Sequence, residues 1–286
     1  MKRRGILCAI LAAAFYALNA PLSKLLLRET PPTMTAAFLY LGAGLGMLVT
    51  RLMRGGAGEQ RLTRRELPYT VAMVVLDIAA PIALMLGISR TSAASASLLN
   101  NFEIVATSLI ALMIFKEAIS RKLWLGIGLV TLSSILLSLG DGAEFSLSAG
   151  SLLVLLACVC WGFENNCTKM LSSKDPVQIV IIKGIFSGLG ALVIALVVGE
   201  KLPGAASILL TLALGFVAYG LSIVLYIYAQ RELGAAKTSA YYAVSPFIGV
   251  AMSLLIFAEV PSLTFGIAFV VMALGTWVVT TADQAG

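Results

Sequence analysis

The sequence predicts an all-α membrane protein, with ten transmembrane helices in two inverted five-helix repeats around a central cavity. Three observations predict it. The first is composition: of 286 residues, 59% are apolar and 12% charged, where a soluble domain carries about 25% charged residues. Mean hydropathy is +0.98. The second is patterning. The charges are bunched in short gaps between apolar runs, and those runs are long enough for a ~30 Å hydrocarbon core, which takes about 20 helical residues. They lack the alternation of a membrane barrel, so helices are the spanning structure left. The third is repetition: residues 92–117, SAASASLLNNFEIVATSLIALMIFKE, are echoed by residues 234–259, GAAKTSAYYAVSPFIGVAMSLLIFAE.

The spans are expected at 6–27, 33–50, 67–88, 92–114, 123–140, 149–171, 177–198, 206–229, 236–257 and 263–281. The two repeats are expected at 1–140 and 149–281. Span one opens like a signal peptide, MKRRGILCAILAAAFYALNA, but the repeat makes it a permanent span. Tyr16, Asn19, Ser23 and Lys24 align with Trp161, Glu164, Thr168 and Lys169 at one constant offset of 145. A proline-bearing loop then leads each half into a glycine-spaced helix, LGAGLGML (41–48) and IFSGLGAL (185–192), where small residues let helices approach closely. Span three ends in LGISRTSAASAS (86–97), answered by YAQRELGAAKTSA (228–240). Glu117, a loop and LGIGLV (125–130) are answered by Glu259, a loop and FGIAFV (265–270).

Five spans per repeat is an odd number, so the halves sit inverted in the bilayer. Lysine and arginine placement fixes the orientation. With a cytoplasmic N-terminus, fifteen of the twenty basic residues fall inside, three (Arg28, Arg90 and Lys201) outside, and Lys24 and Lys183 within spans. Both termini are then cytoplasmic, in a multi-pass protein of the cell membrane. The segment 54–66, RGGAGEQRLTRRE, reads as a solvated, positive-inside connector.

The spans carry polar residues where lipid would penalise them. An acid at the centre of an apolar helix costs roughly 2.5–3.5 kcal/mol on insertion scales. Glu103 lies on a stripe with Ser97, Asn100 and Thr107. Tyr16, Asn19 and Ser23 form a stripe in span one, Trp161, Glu164 and Thr168 in span six, Tyr219, Ser222 and Tyr226 in span eight, Tyr242 and Ser245 in span nine. Asp77 stands one turn before Pro81 in span three. Turned inward, these stripes line a common cavity. An intramembrane carboxylate is by default a functional candidate, and the bland alternative for Glu103 is a buried structural acid, neutral or paired with an asparagine. Asp77 has a different alternative, supporting a kink at Pro81. Lys183 reads as an interfacial snorkel or a partner to a carboxylate, and Lys24 and Lys169 as anchors near span ends. The aromatics Tyr16, Trp161, Tyr219, Tyr226 and Tyr242 either grip a cation or pack between helices. Pro21 and Pro246, inside spans, each free a backbone carbonyl.

Several classes drop out. The chain has no histidine, which removes the usual zinc sites, Ser-His-Asp triads and imidazole relays. Cys8, Cys158, Cys160 and Cys167 have neither metal-site nor redox spacing. LGAAKTS (233–239) lacks the glycine before the lysine and the strand context of a phosphate loop. The formal charge of +6 lies in membrane-flanking loops and is no nucleic-acid signal. No cofactor and no metal are expected. The partners are a small-molecule solute, the lipid bilayer and, as an open option, a second copy of the chain in a homodimer, with no nucleic acid.

With the paired halves, the MIFKE and LIFAE endings and the W-G-x-x-x-N pattern of span six (Trp161, Gly162, Asn166), the whole chain resembles the drug/metabolite transporter superfamily, and within it the EamA-type ten-helix transporters. The resemblance implies alternating access around a central cavity and substrates that are small metabolites. The chain departs from the common pattern at Glu103 and Glu164, positions often uncharged in relatives. The expectation is therefore a secondary, non-ATP transporter of amino-acid-like or cationic solutes. Glu103 is the protonatable centre, Glu164 and Asp77 support it, Asn100 and Asn19 hydrogen-bond solute, and the aromatics form walls. The alternatives are a non-transporting scaffold or receptor of the same fold and a membrane enzyme. For the enzyme the sequence offers no nucleophile constellation.

Overall fold

The computed structural model describes residues 2–54, 60, 62–115, 120–138, 148–171, 173–233 and 241–282, and among these residues regular structure is helical throughout. The helices are α1 (Lys2–Ala17), α2 (Asn19–Leu26), α3 (Pro32–Arg54), α4 (Leu67–Arg90), α5 (Ala93–Leu99), α6 (Phe102–Phe115), α7 (Arg121–Ser138), α8 (Ala149–Leu171), α9 (Pro176–Val197), α10 (Ala205–Gly215), α11 (Ser222–Leu233), α12 (Ser245–Phe257) and α13 (Leu263–Ala282). A 3-10 turn, Arg64–Glu66, precedes α4, and a π-helical stretch, Phe216–Leu221, joins α10 to α11. Eight stretches of described helix are long and apolar enough to cross a membrane. The predicted spans 123–140 and 236–257 overlap α7 and α12, which are not among the eight. α12 has only 13 described residues. Glu117 and residues 234–240 lie outside the described residues, as does the loop 141–147.

Three predicted spans are not single helices. The first breaks between α1 and α2 at Leu18, the fourth at Asn100 and Asn101, and the ninth at Ala243 and Val244. The causes are local. Pro21 has no N–H for the carbonyl of Ala17, and at the break Leu18 N donates to Phe15 O, three residues back, at 3.3 Å. At Asn101 the side-chain amide takes the carbonyl of Leu98 at 3.2 Å, a local competitor of the kind that favours turns over helix interiors. The polar stripe from Ser97 to Thr107 is therefore split between α5 and α6, and is not one continuous helical face. Pro81, by contrast, lies within an unbroken α4.

Glycines set which helices meet backbone to backbone. A Cβ at Gly44 would lie 2.5 Å from Ile185 N, and one at Gly184 would lie 2.3 Å from Gly44 N, so α3 and α9 cross in direct contact. Gly42 and Gly215 bring α3 equally close to α10. Gly87 and Gly150 seat α4 on α8, Gly162 seats α8 on α6, and Gly126 and Gly275 seat α7 on α13. The largest buried cluster forms where α3, α4, α5, α8 and the π-helical stretch converge, around Tyr40, Trp161 and Tyr219.

The helix ends are tied in two layers. In one, Arg51 meets Asp175 at 3.3 Å and Lys174 meets Glu66 at 3.4 Å. Asp175 N donates to Gln60 O at 2.9 Å, and Leu62 N donates to Gln178 Oε1 at 3.1 Å. The described end of the 54–66 connector is thus docked on the start of α9 rather than simply solvated. In the other layer the Lys24 ammonium donates to the carbonyls of Ile88 (2.6 Å) and Thr91 (2.7 Å), at the C-terminal end of α4. That position suits a cation, because the last carbonyls lack helical partners. Glu200 does the reverse for α3, accepting from Thr33 N at 3.1 Å and Met34 N at 2.8 Å. Glu200→Ala is expected to cost about 1 kcal/mol, the usual worth of an N-cap acceptor, read as a lower melting temperature of the purified protein.

Candidate functional site

The centre of the bundle holds a buried ionic cluster. Lys183 of α9 places its ammonium 3.1 Å from Asp77 Oδ2 on α4 and 3.0 Å from Glu164 Oε1 on α8. Asp77 is fully buried and Glu164 is 2% exposed. Lys183 is no interfacial snorkel: it is itself buried, between two carboxylates. Asp77 Oδ2 accepts no well-aligned hydrogen bond among the described residues, so its compensation is coulombic, from Lys183. The other oxygen, Oδ1, accepts from the Tyr40 hydroxyl at 2.9 Å. Asp77 is thus engaged across helices, with Tyr40 of α3 and Lys183 of α9. Tyr40 in turn accepts from the Trp161 indole N–H at 3.3 Å. Thr168 donates to Glu164 Oε1 from the next turn of α8.

Glu103 stands beside this cluster. It opens α6, in the first turn after the break, and accepts from Asn165 Nδ2 at 2.7 Å. The same amide lies 3.3 Å from the Thr107 hydroxyl. Gly162 makes this possible, because a Cβ there would lie 2.8 Å from that of Ala106. Unlike Asp77 and Glu164, Glu103 is only half-buried. Of the three acids it is the one that has no ion-pair partner among the described residues and keeps part of its surface open.

A wall of tyrosines completes the site. Asn19 donates to the Tyr219 hydroxyl at 2.7 Å, and Ser23 donates to Asn19 Oδ1 at 3.0 Å. The Tyr219 ring lies 5.2 Å from that of Tyr40 and 5.8 Å from that of Tyr16. Tyr242 continues the wall, 5.9 Å from Tyr16 and 4.9 Å from Tyr226. Tyr219 is carried by the π-helical stretch, a helix irregularity that often marks functional positions. Asn100 meets Glu103 only through the backbone, its carbonyl accepting from Glu103 N at 3.1 Å. It closes α5 and lines a separate small cavity with Tyr16, Ser97 and Ser245.

The structure thus brings Asp77, Glu164, Trp161, Tyr219 and Asn19 into one connected network, and Glu103, Tyr16, Tyr242 and Tyr226 against its edge. Two participants were not singled out in the sequence. Tyr40 sits inside an apolar span directly before the glycine run, and that position was the available signal. Asn165 is one residue off the Trp161–Glu164–Thr168 stripe, so it faces α6 rather than the ionic cluster, and periodicity passed over it. Among the described residues no group of three acids or cysteines has metal-holding geometry.

Comparison with known proteins places the whole chain among membrane transporters. The family model described as "EamA-like transporter family" matches residues 3–139 and again 148–281. An "Uncharacterized transporter" of Methanothermobacter thermautotrophicus is 29% identical over 96% of this chain and 85% of its own. The "Uncharacterized inner membrane transporter YedA" of Escherichia coli K12 is 24% identical over 77% of this chain and 72% of its own. One solved structure, described as "Crystal structure of protein", superposes with a TM-score of 0.70 at 16% identity, covering 98% of both chains, and so shares the fold.

Proposed function

The chain belongs to the EamA-like transporter family, and from that premise we propose that this multi-pass membrane protein is a secondary, non-ATP transporter. It moves small organic metabolites, amino-acid-like or cationic, coupled to protons, by alternating access. The observation that carries the reading is Glu103, a half-buried carboxylate held by Asn165 at 2.7 Å beside a buried cluster and a tyrosine wall. In the core Asp77 and Glu164 flank one ammonium, that of Lys183, and Glu103 adds a third carboxylate at the edge of the cluster. This surplus favours a positively charged group on the solute, and tyrosine faces add to it.

Glu103 links α6 to α8 through Asn165. As a carboxylate it is a strong acceptor for that amide. Protonated, it accepts more weakly and loosens the tie. Protonated Glu103 therefore favours one access state, and solute or deprotonation favours the other; a ligand shifts such an equilibrium only by its differential affinity. Asn19 supplies hydrogen bonds to the solute along the tyrosine wall, and Asn100 is adjacent.

The two-repeat architecture, 1–140 and 149–281, supports this mechanism. The family match falls twice, once in each half. Helix packing pairs in the same way: α4 packs on α8 as α11 packs on α1, α6 on α8 as α12 on α1, and α7 on α13 joins the two ends. Ten spans with the second five inverted give both termini a cytoplasmic position. In vesicles loaded with purified protein, Glu103→Gln is expected to abolish pH-dependent solute flux while the melting profile stays that of a folded protein. Flux with an unchanged pH profile in that variant sinks the coupling role, and absence of flux in the wild type across amines and amino acids sinks the solute class.

A further inference from the structure

A second site lies apart from the ionic cluster, where the broken helices cross. The carbonyl of Ala17 ends α1, and the residue four positions on that would supply its N–H is Pro21, which has none. That carbonyl oxygen lies 3.3 Å from the position of a Cβ on Gly249 of α12. Ser97 and Asn100 come from the end of α5, and Ser245 from the start of α12. Together with Tyr16 and Gly249 they line a cavity of about 10 Å³.

Three of these side chains are buried and unsatisfied. Ser97 is 2% exposed, Asn100 8% and Ser245 0%, and Ser97 Oγ, Asn100 Oδ1 and Ser245 Oγ have no hydrogen-bond partner among the described residues. Buried polar atoms are nearly always paired, and an orphan calls for a water, an ion or a functional reason. Here three side-chain oxygens and one freed carbonyl border one cavity. Its volume suits a single small guest, far below any organic solute.

We propose that this cavity is a binding site for one dehydrated monovalent cation of sodium size. The donors are all oxygen, as hard cations require. None is a carboxylate, so a single positive charge is favoured over a double one, which neutral donors would leave uncompensated. Two helix C-termini, of α1 and α5, end at the cavity, and unwound carbonyls with half-helix C-terminal ends are a recurring cradle for sodium in transporters. Glu103 follows Asn100 by three residues and adds negative potential. The small volume disfavours potassium. The site rests on the transporter reading only for its consequence, a sodium-linked solute flux; binding itself is independent of flux.

The test is thermal unfolding of the purified full chain in sodium, potassium and choline chlorides at constant ionic strength. Sodium is expected to raise the melting temperature saturably, by roughly 5 °C at a hundredfold excess over Kd, with potassium weaker and choline without effect. Ser245→Ala is expected to fold and lose the response. Asn100→Asp, which replaces the amide oxygen by a charged one, is expected to shift the half-effect to lower sodium, and it carries the test if Ser245→Ala does not fold. Equal melting in sodium and choline, in wild type and Asn100→Asp alike, overturns the proposal and assigns the cavity to a water. A sodium response without solute flux upholds the site and counts against the transporter reading. Flux without a sodium response does the opposite.

Discussion

Lys183→Met is expected to destabilise the protein by about 3–5 kcal/mol, the cost of removing one partner from a buried ion pair. The loss is not that of two contacts alone. The Lys183 ammonium lies 3.1 Å from Asp77 and 3.0 Å from Glu164, and without it two carboxylates stand in the core with no counter-charge. Either they take up protons or the helices α4, α8 and α9 part to admit water. Thermal unfolding of the variant should show a large fall in melting temperature. The triple variant Lys183→Met, Asp77→Asn, Glu164→Gln should recover most of it, because replacing a whole buried charge set is often neutral. The contrast is the Arg51–Asp175 pair at 3.3 Å, whose arginine is 24% exposed; partly solvated pairs contribute about 0–1 kcal/mol, and Arg51→Gln should move the melt little. A Lys183→Met protein that melts with the wild type would refute the role given to the cluster.

Gly215→Val is expected to prevent accumulation of folded protein in the membrane. A Cβ at Gly215 would lie 1.9 Å from the carbonyl oxygen of Leu39, and at Gly42 2.1 Å from that of Leu212. The obstacles are backbone atoms, so no rotamer change relieves them. α3 is held on its other side against α9 through Gly44 and Gly184, which leaves it nowhere to retreat. Overpacking typically costs about 1–3 kcal/mol and more where the backbone must move. It would also displace Tyr40 and Tyr219, one residue beyond Leu39 and four beyond Gly215. Gly128→Ala and Gly266→Ala, where a Cβ meets nothing within 4 Å, are the matched controls and should be silent. Normal yield and melting of Gly215→Val would show that the α3–α10 crossing is loose.

Much of the centre was legible because lipid makes polarity conspicuous. An acid such as Glu103, Glu164 or Asp77 inside an apolar run has few harmless explanations, and the structure buries Asp77 and Glu164 in the core with Glu103 beside them. The 145-residue offset that aligned Tyr16 with Trp161 and Asn19 with Glu164 was likewise readable without coordinates. Asn165 and Tyr40 were not, because their importance depends on which neighbouring helix they face. Lys183 was legible as charged and intramembrane, but whether it snorkelled or paired depended on the distance between α4, α8 and α9.

The sequence by itself determined the class of the molecule: apolar runs of span length, charges confined to gaps, and a doubled pattern whose glycines required close helix crossings. These follow from the bilayer as solvent, which constrains each segment separately and so writes its demands into local composition. Tertiary structure alone decided that Lys183 neutralises two acids, that Glu103 is left half-open against Asn165, and that Ala17, Ser97, Asn100 and Ser245 converge where helices break. Those outcomes are pairings between different helices, 19 to 106 residues apart for the acids, or convergences at interruptions of the helical ladder. A helical period fixes only the face a residue occupies while the helix lasts. The partner it meets is set by the crossing of backbones, within a few ångströms, at glycines such as Gly162, Gly184 and Gly249.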